Sequence, residues 1–217
     1  MKVRSILRCY WIAGSQDFNS ATNRPQALLT CLEQALKCGI TCYQFREKGA
    51  GALCDRTQIK QLAIAAQQRC RAYNVPFFIN DDLELALELH ADGIHVGQDD
   101  TPILELIERV NGQMLIGLST HNLAQFQAAD AIEGIDYCGF GPIFPTLSKP
   151  DADPAIGIAA IQQVRQANLC KPMVAIGGIT VENASAVRRT GADGIAVISA
   201  ITQSRNLPQT ITQLLTI

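Results

Sequence analysis

Acids, amides and cations stand in short clusters along this chain, each at the end of an apolar run of strand length. Gln44-Phe45-Arg46-Glu47-Lys48 carries two cations, and Gln44, Arg46 and Lys48 share one side if the segment is extended. That pairing suits an anion. Asn80-Asp81-Asp82 and Gln98-Asp99-Asp100 each offer two carboxylates beside an amide. Mg²⁺ takes one or two carboxylates and completes its shell with water and substrate phosphate oxygens. One acid in each cluster could instead cap the helix that follows, but capping needs only one. Ser119-Thr120-His121 offers a hydroxyl for a cap or a phosphate oxygen, and a lone histidine whose role is structural or supporting. The stretch from Gly139 to Pro154 is rich in glycine and proline and holds Thr146-Leu147-Ser148-Lys149, the pattern of a lid over an anionic ligand. Ile176-Gly177-Gly178-Ile179-Thr180 and Val197-Ile198-Ser199 place small residues where ligand oxygens can reach backbone N–H groups.

These clusters are spaced by a repeating pattern. Strand candidates fall at 9–13, 41–46, 76–80, 93–96, 115–119, 137–141, 173–176 and 194–199, each too continuously apolar for one wet face. Amphipathic stretches lie between them. In 25–37, Leu28, Leu29, Leu32, Ala35 and Leu36 recur at helical spacing; 82–90 and 181–189 behave similarly. Thr101-Pro102 reads as an N-cap followed by proline at the first helical position, with Ile103, Leu104, Ile107 and Val110 as the buried stripe. Four joints echo one another: Cys38-Gly39-Ile40-Thr41, His90-Ala91-Asp92-Gly93, Glu133-Gly134-Ile135-Asp136 and Gly191-Ala192-Asp193-Gly194. Glycine there suits the left-handed residue that closes a helix. Eight strand–helix units in 217 residues predict a single-domain (β/α)8 barrel, with a doubly wound open sheet as the alternative. No linker marks a second domain.

In such a barrel, chemistry gathers at the C-terminal ends of the strands, and the loops after strands seven and eight form the usual phosphate site. Adjacent strands lie ~4.8 Å apart, so carboxylates just beyond strands three and four can meet at one ion. The clusters therefore predict a phosphate cradle near strands seven and eight and a second anion site, with a metal, near strands two to four. Two phosphorylated small molecules are the expected partners. A net charge of -2 argues against broad attraction to nucleic acid or an anionic membrane. The eight cysteines form no Cys-x-x-Cys pair, which predicts reduced structural thiols and no zinc site. No segment reaches the about 18 apolar residues of a membrane span, and residues 1–14 lack a signal core, so a cytoplasmic protein is expected. Association into a homo-oligomer is left open by the sequence.

The clusters together, with 92–100 (Asp-Gly-Ile-His-Val-Gly-Gln-Asp-Asp) and 141–149 (Gly-Pro-Ile-Phe-Pro-Thr-Leu-Ser-Lys), resemble the thiamine phosphate synthase family over nearly the whole chain. The resemblance implies a transferase that joins 4-amino-2-methyl-5-(diphosphooxymethyl)pyrimidine to a thiazole phosphate and releases pyrophosphate. It implies that Gln44, Phe45, Arg46, Glu47, Lys48, Asn80, Ser119 and Lys149 bind the pyrimidine diphosphate. Thr146, Leu147, Ser148, Gly178, Ile198 and Ser199 would bind the thiazole phosphate, and Asp81 and Asp100 would hold one Mg²⁺. Two departures stand out: Ser148 replaces a more usual threonine, and Asp82 stands where a basic residue is common. The implied reaction is dissociative: pyrophosphate leaves, and the thiazole nitrogen captures a pyrimidine-stabilised carbocation. Arg46, Lys48 and Lys149 would offset charge growing on the leaving oxygens. The alternatives are a thiazole tautomerase of the same fold, which would use His121 as acid or base, and a barrel that binds thiamine phosphates without turnover. Losing one preorganised donor to a developing oxyanion costs about 10²–10³-fold in rate. Lys149→Ala is expected to lower turnover by about that factor with the fold intact, measured as initial rate beside a thermal melt. Unchanged turnover would remove Lys149 from the chemistry.

Overall fold

The computed structural model describes residues 3–146, 148 and 153–216. Among them, eight parallel strands close into a barrel in chain order: β1 Cys9–Ala13, β2 Cys42–Phe45, β3 Phe77–Asn80, β4 Gly93–Val96, β5 Leu115–Thr120, β6 Tyr137–Phe140, β7 Met173–Ile176 and β8 Gly194–Val197. Pairing of Cys9 with Ile195 and Trp11 with Val197 joins β8 to β1, which excludes the open sheet. The helices are α1 Val3–Ile6, α2 Arg24–Lys37, α3 Arg56–Ala72, α4 Leu83–Glu88, α5 Ile103–Val110, α6 Leu123–Asp130, α7 Ala159–Gln166, α8 Ala184–Arg189, α9 Ser199–Thr202 and α10 Leu207–Leu215. None of them is long and apolar enough to cross a membrane.

Strand alternation divides the apolar residues into two cores. Trp11, Tyr43, Phe45, Phe77, Ile79, Ile94, Cys138 and Phe140 point out and pack with the helices. Tyr10, Ile12, Cys42, Phe78, Tyr137, Val174 and Ala196 point in and fill the barrel. Ile6 and Leu7 plug its N-terminal end. The eight cysteines are free thiols, and burial pushes Cys9 and Cys138 up to about 12, which keeps both protonated at neutral pH.

The four echoing joints share one device. Thr41, Asp92, Asp136 and Asp193 each donate a backbone N–H to a carbonyl at the start of the preceding strand: Cys9, Phe77, Ile116 and Met173, at 2.9, 3.0, 2.8 and 3.0 Å. The side chain of each then accepts the N–H of that same residue, at 2.8, 2.9, 2.7 and 2.8 Å. This two-point clamp locks β1 to β2, β3 to β4, β5 to β6 and β7 to β8.

Several sequence expectations shift. Gly39, Gly134 and Gly191 do take positive φ, but at the second joint His90 does so, with φ 47°. Gly93 serves another purpose: a Cβ there would enter the ring of Phe78. Strand two loses Thr41 to its clamp, and strand eight loses Ile198 and Ser199, which open α9. Strand three starts at Phe77, strand five gains Thr120, and strand six ends at Phe140. Thr101 does not cap α5; Pro102 occupies the N-cap with no side-chain bond. Leu106 and Val110, four residues apart, face inward, which turns Leu104 outward to 68% exposure. α4 and α8 are shorter than expected, since Asp82 is the cap of α4 and α8 begins at Ala184.

Because Gly93 leaves the space that Phe78 fills, Gly93→Ala overpacks the barrel centre. The expected cost is about 1–3 kcal/mol, a Tm drop of roughly 3–10 °C at this chain length. Adding Phe78→Leu should recover part of it in thermal melts. A Gly93→Ala protein that melts like wild type would show that the ring has room to move.

Candidate active site

The polar clusters meet at the C-terminal rim. Lys48, just past β2, sets Nζ 2.5 Å from Asp81 Oδ2 and 3.6 Å from Asp100 Oδ1. Asp81 follows β3, where its N–H donates to His95 O at 2.9 Å and its φ is 61°. Aspartate tolerates that left-handed conformation better than most residues. Asp100 lies beyond β4 and folds back to accept Gly97 N–H at 2.7 Å. A Cβ at Gly97 would press on that oxygen. The two carboxyls thus share one lysine and are close enough to perturb each other.

This crowding sets the electrostatics. Burial pushes the Asp81 carboxyl above its ordinary value, and the Asp100 charge adds to the rise while Lys48 opposes it. Burial also pushes Asp100 up, but the neighbouring Asp81 carboxyl, the bond from Gly97 N–H and the Lys48 charge outweigh burial, and the result is lowered. The bond to Asp81 raises Lys48 above the ordinary lysine value. Two carboxylates and one ammonium leave a net negative pocket that favours a further cation.

The neighbouring acids have other duties. Asp82 caps α4 by accepting Leu85 N–H at 3.0 Å and forms a two-pronged ion pair with Arg56 of α3. Its charge is thus neutralised from the helical layer rather than added to the Asp81–Asp100 pair. Asp99 is exposed, and neither Asp99 nor Asp100 caps α5.

The segment 44–48 divides by alternation. Gln44 points into the barrel and is 1% exposed, donating to Tyr10 Oη at 2.9 Å. The Phe45 side chain points to the helices and stacks near Phe77, so only its backbone reaches the rim. Arg46 N–H continues the ladder to Ala13 O at 3.1 Å. Glu47 is turned inward upon the protein: its carboxylate accepts Ser15 Oγ at 2.5 Å, Ser15 N–H at 2.8 Å and Leu53 N–H at 2.7 Å. It braces the loops around Arg46 and Lys48 instead of facing a ligand. Asn80 ends β3 half-buried, and Ser119 near the end of β5 sets Oγ 3.0 Å from His95 Nε2.

On the opposite side, Gly177 and Gly178 take φ 99° and 60°. A Cβ on either would strike the β6 loop at Pro142 or Phe144 and Pro145. Ile143 N–H and Phe144 N–H donate to Ile176 O and Gly177 O at 2.8 and 3.0 Å. The glycine pair therefore lets the β6 loop dock against the end of β7. Thr146 Oγ1 accepts Ser148 N–H at 3.2 Å, and Ile198 is the N-cap of α9, which Ser199 opens just past β8. Leu147 and Lys149 lie outside the described residues. His121 donates through Nδ1 to Gly141 O at 2.7 Å, with Asp153 Oδ2 at 3.4 Å, which ties the β5 rim to the β6 loop. Sequence reading missed Arg56, Tyr10 and Tyr137 and gave His95 no role of its own. A histidine flanked by Ile94 and Val96 inside a buried strand was the available signal.

The raised Asp81 value has a testable sign. A carboxyl whose folded value exceeds its unfolded value contributes its stability below the unfolded value and loses it as pH rises through the folded one. At pH 7, ionised Asp81 is therefore a net cost in the metal-free protein. Asp81→Asn, which keeps a residue tolerant of positive φ, is expected to raise Tm at pH 7 in the presence of chelator and to abolish activity. The gain should shrink as the pH falls and wild-type Asp81 takes up a proton. A variant that melts lower than wild type at pH 7 would mean the Lys48 pair outweighs burial.

Comparison with known proteins identifies the family. Residues 9–201 match the family model for thiamine monophosphate synthase. The thiamine-phosphate synthase of Actinobacillus succinogenes is 50% identical, with 98% of this chain and 97% of that protein covered. That of Listeria innocua is 49% identical over 98% and 97%. Among solved structures, the thiamine phosphate pyrophosphorylase of Pyrococcus furiosus superposes with a TM-score of 0.81 at 31% identity, covering 98% of this chain and 95% of that one. A 3-hexulose-6-phosphate synthase at 14% identity shares the fold alone, with a TM-score of 0.66. The chain is an enzyme and belongs to the thiamine monophosphate synthase family.

Proposed function

We propose that this chain condenses 4-amino-2-methyl-5-(diphosphooxymethyl)pyrimidine with a thiazole phosphate by a dissociative route in which Mg²⁺ assists the departing pyrophosphate. The observation that carries the reading is the cluster of Asp81, Lys48 and Asp100 at one rim position, within 2.5 and 3.6 Å of a single nitrogen. Two contiguous carboxyls, one of them pushed up by burial and by its neighbour, suit a hard divalent cation that keeps open positions for phosphate oxygens. Asp81 and Asp100 would hold the ion, which when bound supplies positive charge to the diphosphate.

The chain's own residues would then act on the leaving group and the two rings. Arg46, Lys48 and Lys149 offset negative charge as the carbon–oxygen bond breaks, and Asn80 and Ser119 offer hydrogen bonds to the same substrate. The thiazole phosphate would sit across the mouth on the backbone of Gly178, Ile198 and Ser199, with the hydroxyls of Thr146 and Ser148 as further partners; the resemblance adds Leu147 to the same group. The thiazole nitrogen already has a lone pair, so its attack requires no general base. A tautomerase reading would instead need His121 as acid or base through Nε2, since its Nδ1 is held on the Gly141 carbonyl, and it gives the Asp81–Lys48–Asp100 cluster no task.

Incubation of the purified protein with both substrates tests the proposal. Thiamine phosphate and pyrophosphate are expected in equal amounts with Mg²⁺, and chelator should stop both. Turnover indifferent to chelator would defeat the metal assignment, and pyrophosphate release without thiamine phosphate would defeat the condensation.

A further inference from the structure

A chain of hydrogen bonds runs through the middle of the barrel and ends at its mouth. Gln44 Nε2 donates to Tyr10 Oη at 2.9 Å; Tyr10 Oη lies 2.9 Å from Tyr137 Oη; Tyr137 Oη lies 2.9 Å from His95 Nδ1; and His95 Nε2 lies 3.0 Å from Ser119 Oγ. The first three groups are buried to 1% exposure or less, whereas His95 and Ser119 are progressively nearer the rim and half-buried. The space is built for it. A Cβ at Gly117 would collide with Tyr137 and sit 2.5 Å from His95 Nδ1, and one at Gly139 would sit 3.0 Å from His95 Cε1.

The chain has a direction. An amide nitrogen can only donate, so Tyr10 Oη accepts from Gln44 and turns its one proton to Tyr137. Tyr137, having accepted, turns its own proton to His95 Nδ1. A neutral imidazole that accepts at Nδ1 carries its hydrogen on Nε2. That hydrogen goes to Ser119 Oγ, and the serine is left with its O–H to give to a partner at the mouth.

We infer that Gln44, Tyr10, Tyr137 and His95 form a directional relay that fixes the Nε2–H tautomer of His95 and presents Ser119 as a hydrogen-bond donor to the departing diphosphate. This deepens the proposed function and rests on its reading that Ser119 faces the pyrimidine diphosphate. Tyr137 and His95 are positioning residues in this scheme. Were the chain to run the other way, Ser119 would give its proton inward and meet an anion with a lone pair.

The test begins with ¹⁵N NMR of the wild-type protein at neutral pH, where the three histidines are assigned through His90→Gln and His121→Gln variants. His95 is expected to show a protonated Nε2 and a bare Nδ1. Tyr137→Phe should abolish the preference between the two ring nitrogens and lower kcat about five- to tenfold, the worth of one neutral hydrogen bond, with KM for the thiazole phosphate unchanged. Tyr10→Phe, which cuts the chain one link earlier, should move both readouts the same way and stands in if Tyr137→Phe does not fold. A His95 proton on Nδ1, or a kcat within twofold of wild type in the tyrosine variants while Ser119→Ala is impaired, overturns the relay. Full activity in Ser119→Ala overturns the donation to the diphosphate. Absence of thiamine phosphate with the wild type would strike the function itself and leave the tautomer result standing.

Discussion

A closed eight-stranded barrel has to fill its own centre with side chains from the strands, and that space barely fits them. In this protein the filling is aromatic, and glycines on neighbouring strands make the room: Gly93 for Phe78, Gly117 for Tyr137 and His95, and Gly139 for His95. Rings of this size bring hydroxyls and nitrogens into a region with little water, where a polar atom without a partner is costly. The polar chain from Gln44 to Ser119 answers that requirement, since each inner group satisfies the next. What reaches the rim as a half-exposed serine is thus the end of a packing solution that begins in the middle of the barrel.

At the rim the logic reverses, and the fold holds together groups that repel. Asp81 and Asp100 come from different strands and share one lysine. Asp81 also adopts positive φ. Both features cost stability, and neither is forced by packing, because Asp82 alone suffices to cap α4. Strain and like charge retained at one point of a well-packed protein are the mark of a site shaped for a ligand. The unusual acid at 82 does not add to that charge, since Arg56 meets it from α3.

The sequence made the strands legible because parallel strands covered on both faces are continuously apolar, and the joints legible because they repeat. It did not reveal what the joints do. Asp92, Asp136 and Asp193 stood in joints where only the glycines suggested a role, whereas each clamps the start of the strand before it. Gly93 read as a helix-closing residue, but closure fell to His90, and the need for glycine came from Phe78 across the strand pair. A local reading has no access to such contacts. The same limit governed the site. Lys48, Asp81 and Asp100 stood out because charged residues at the ends of apolar runs are conspicuous, while Glu47 looked equally suitable and proved to be occupied by Ser15 and Leu53. His95 carried only a weak sign, since one histidine in a buried strand is compatible with many contacts.

The clamps at the bottom of the barrel bear on the chemistry at the top. Side chains alternate along a strand, so a slip of one residue would exchange its inner and outer sets. In β2 such a slip would carry Phe45 into the barrel and bury Gln44 among the leucines and alanines of α2 and α3. The relay would lose its first donor, and the residues beyond it would present different faces to Asp81. Thr41 prevents this by binding Cys9 through both its backbone and its hydroxyl. Asp92 does the same for β3 and β4, the strands that carry Asn80 and His95. Register is therefore set at the end of the barrel farthest from the ligands, by residues with no part in the reaction. The rim inherits its geometry from them.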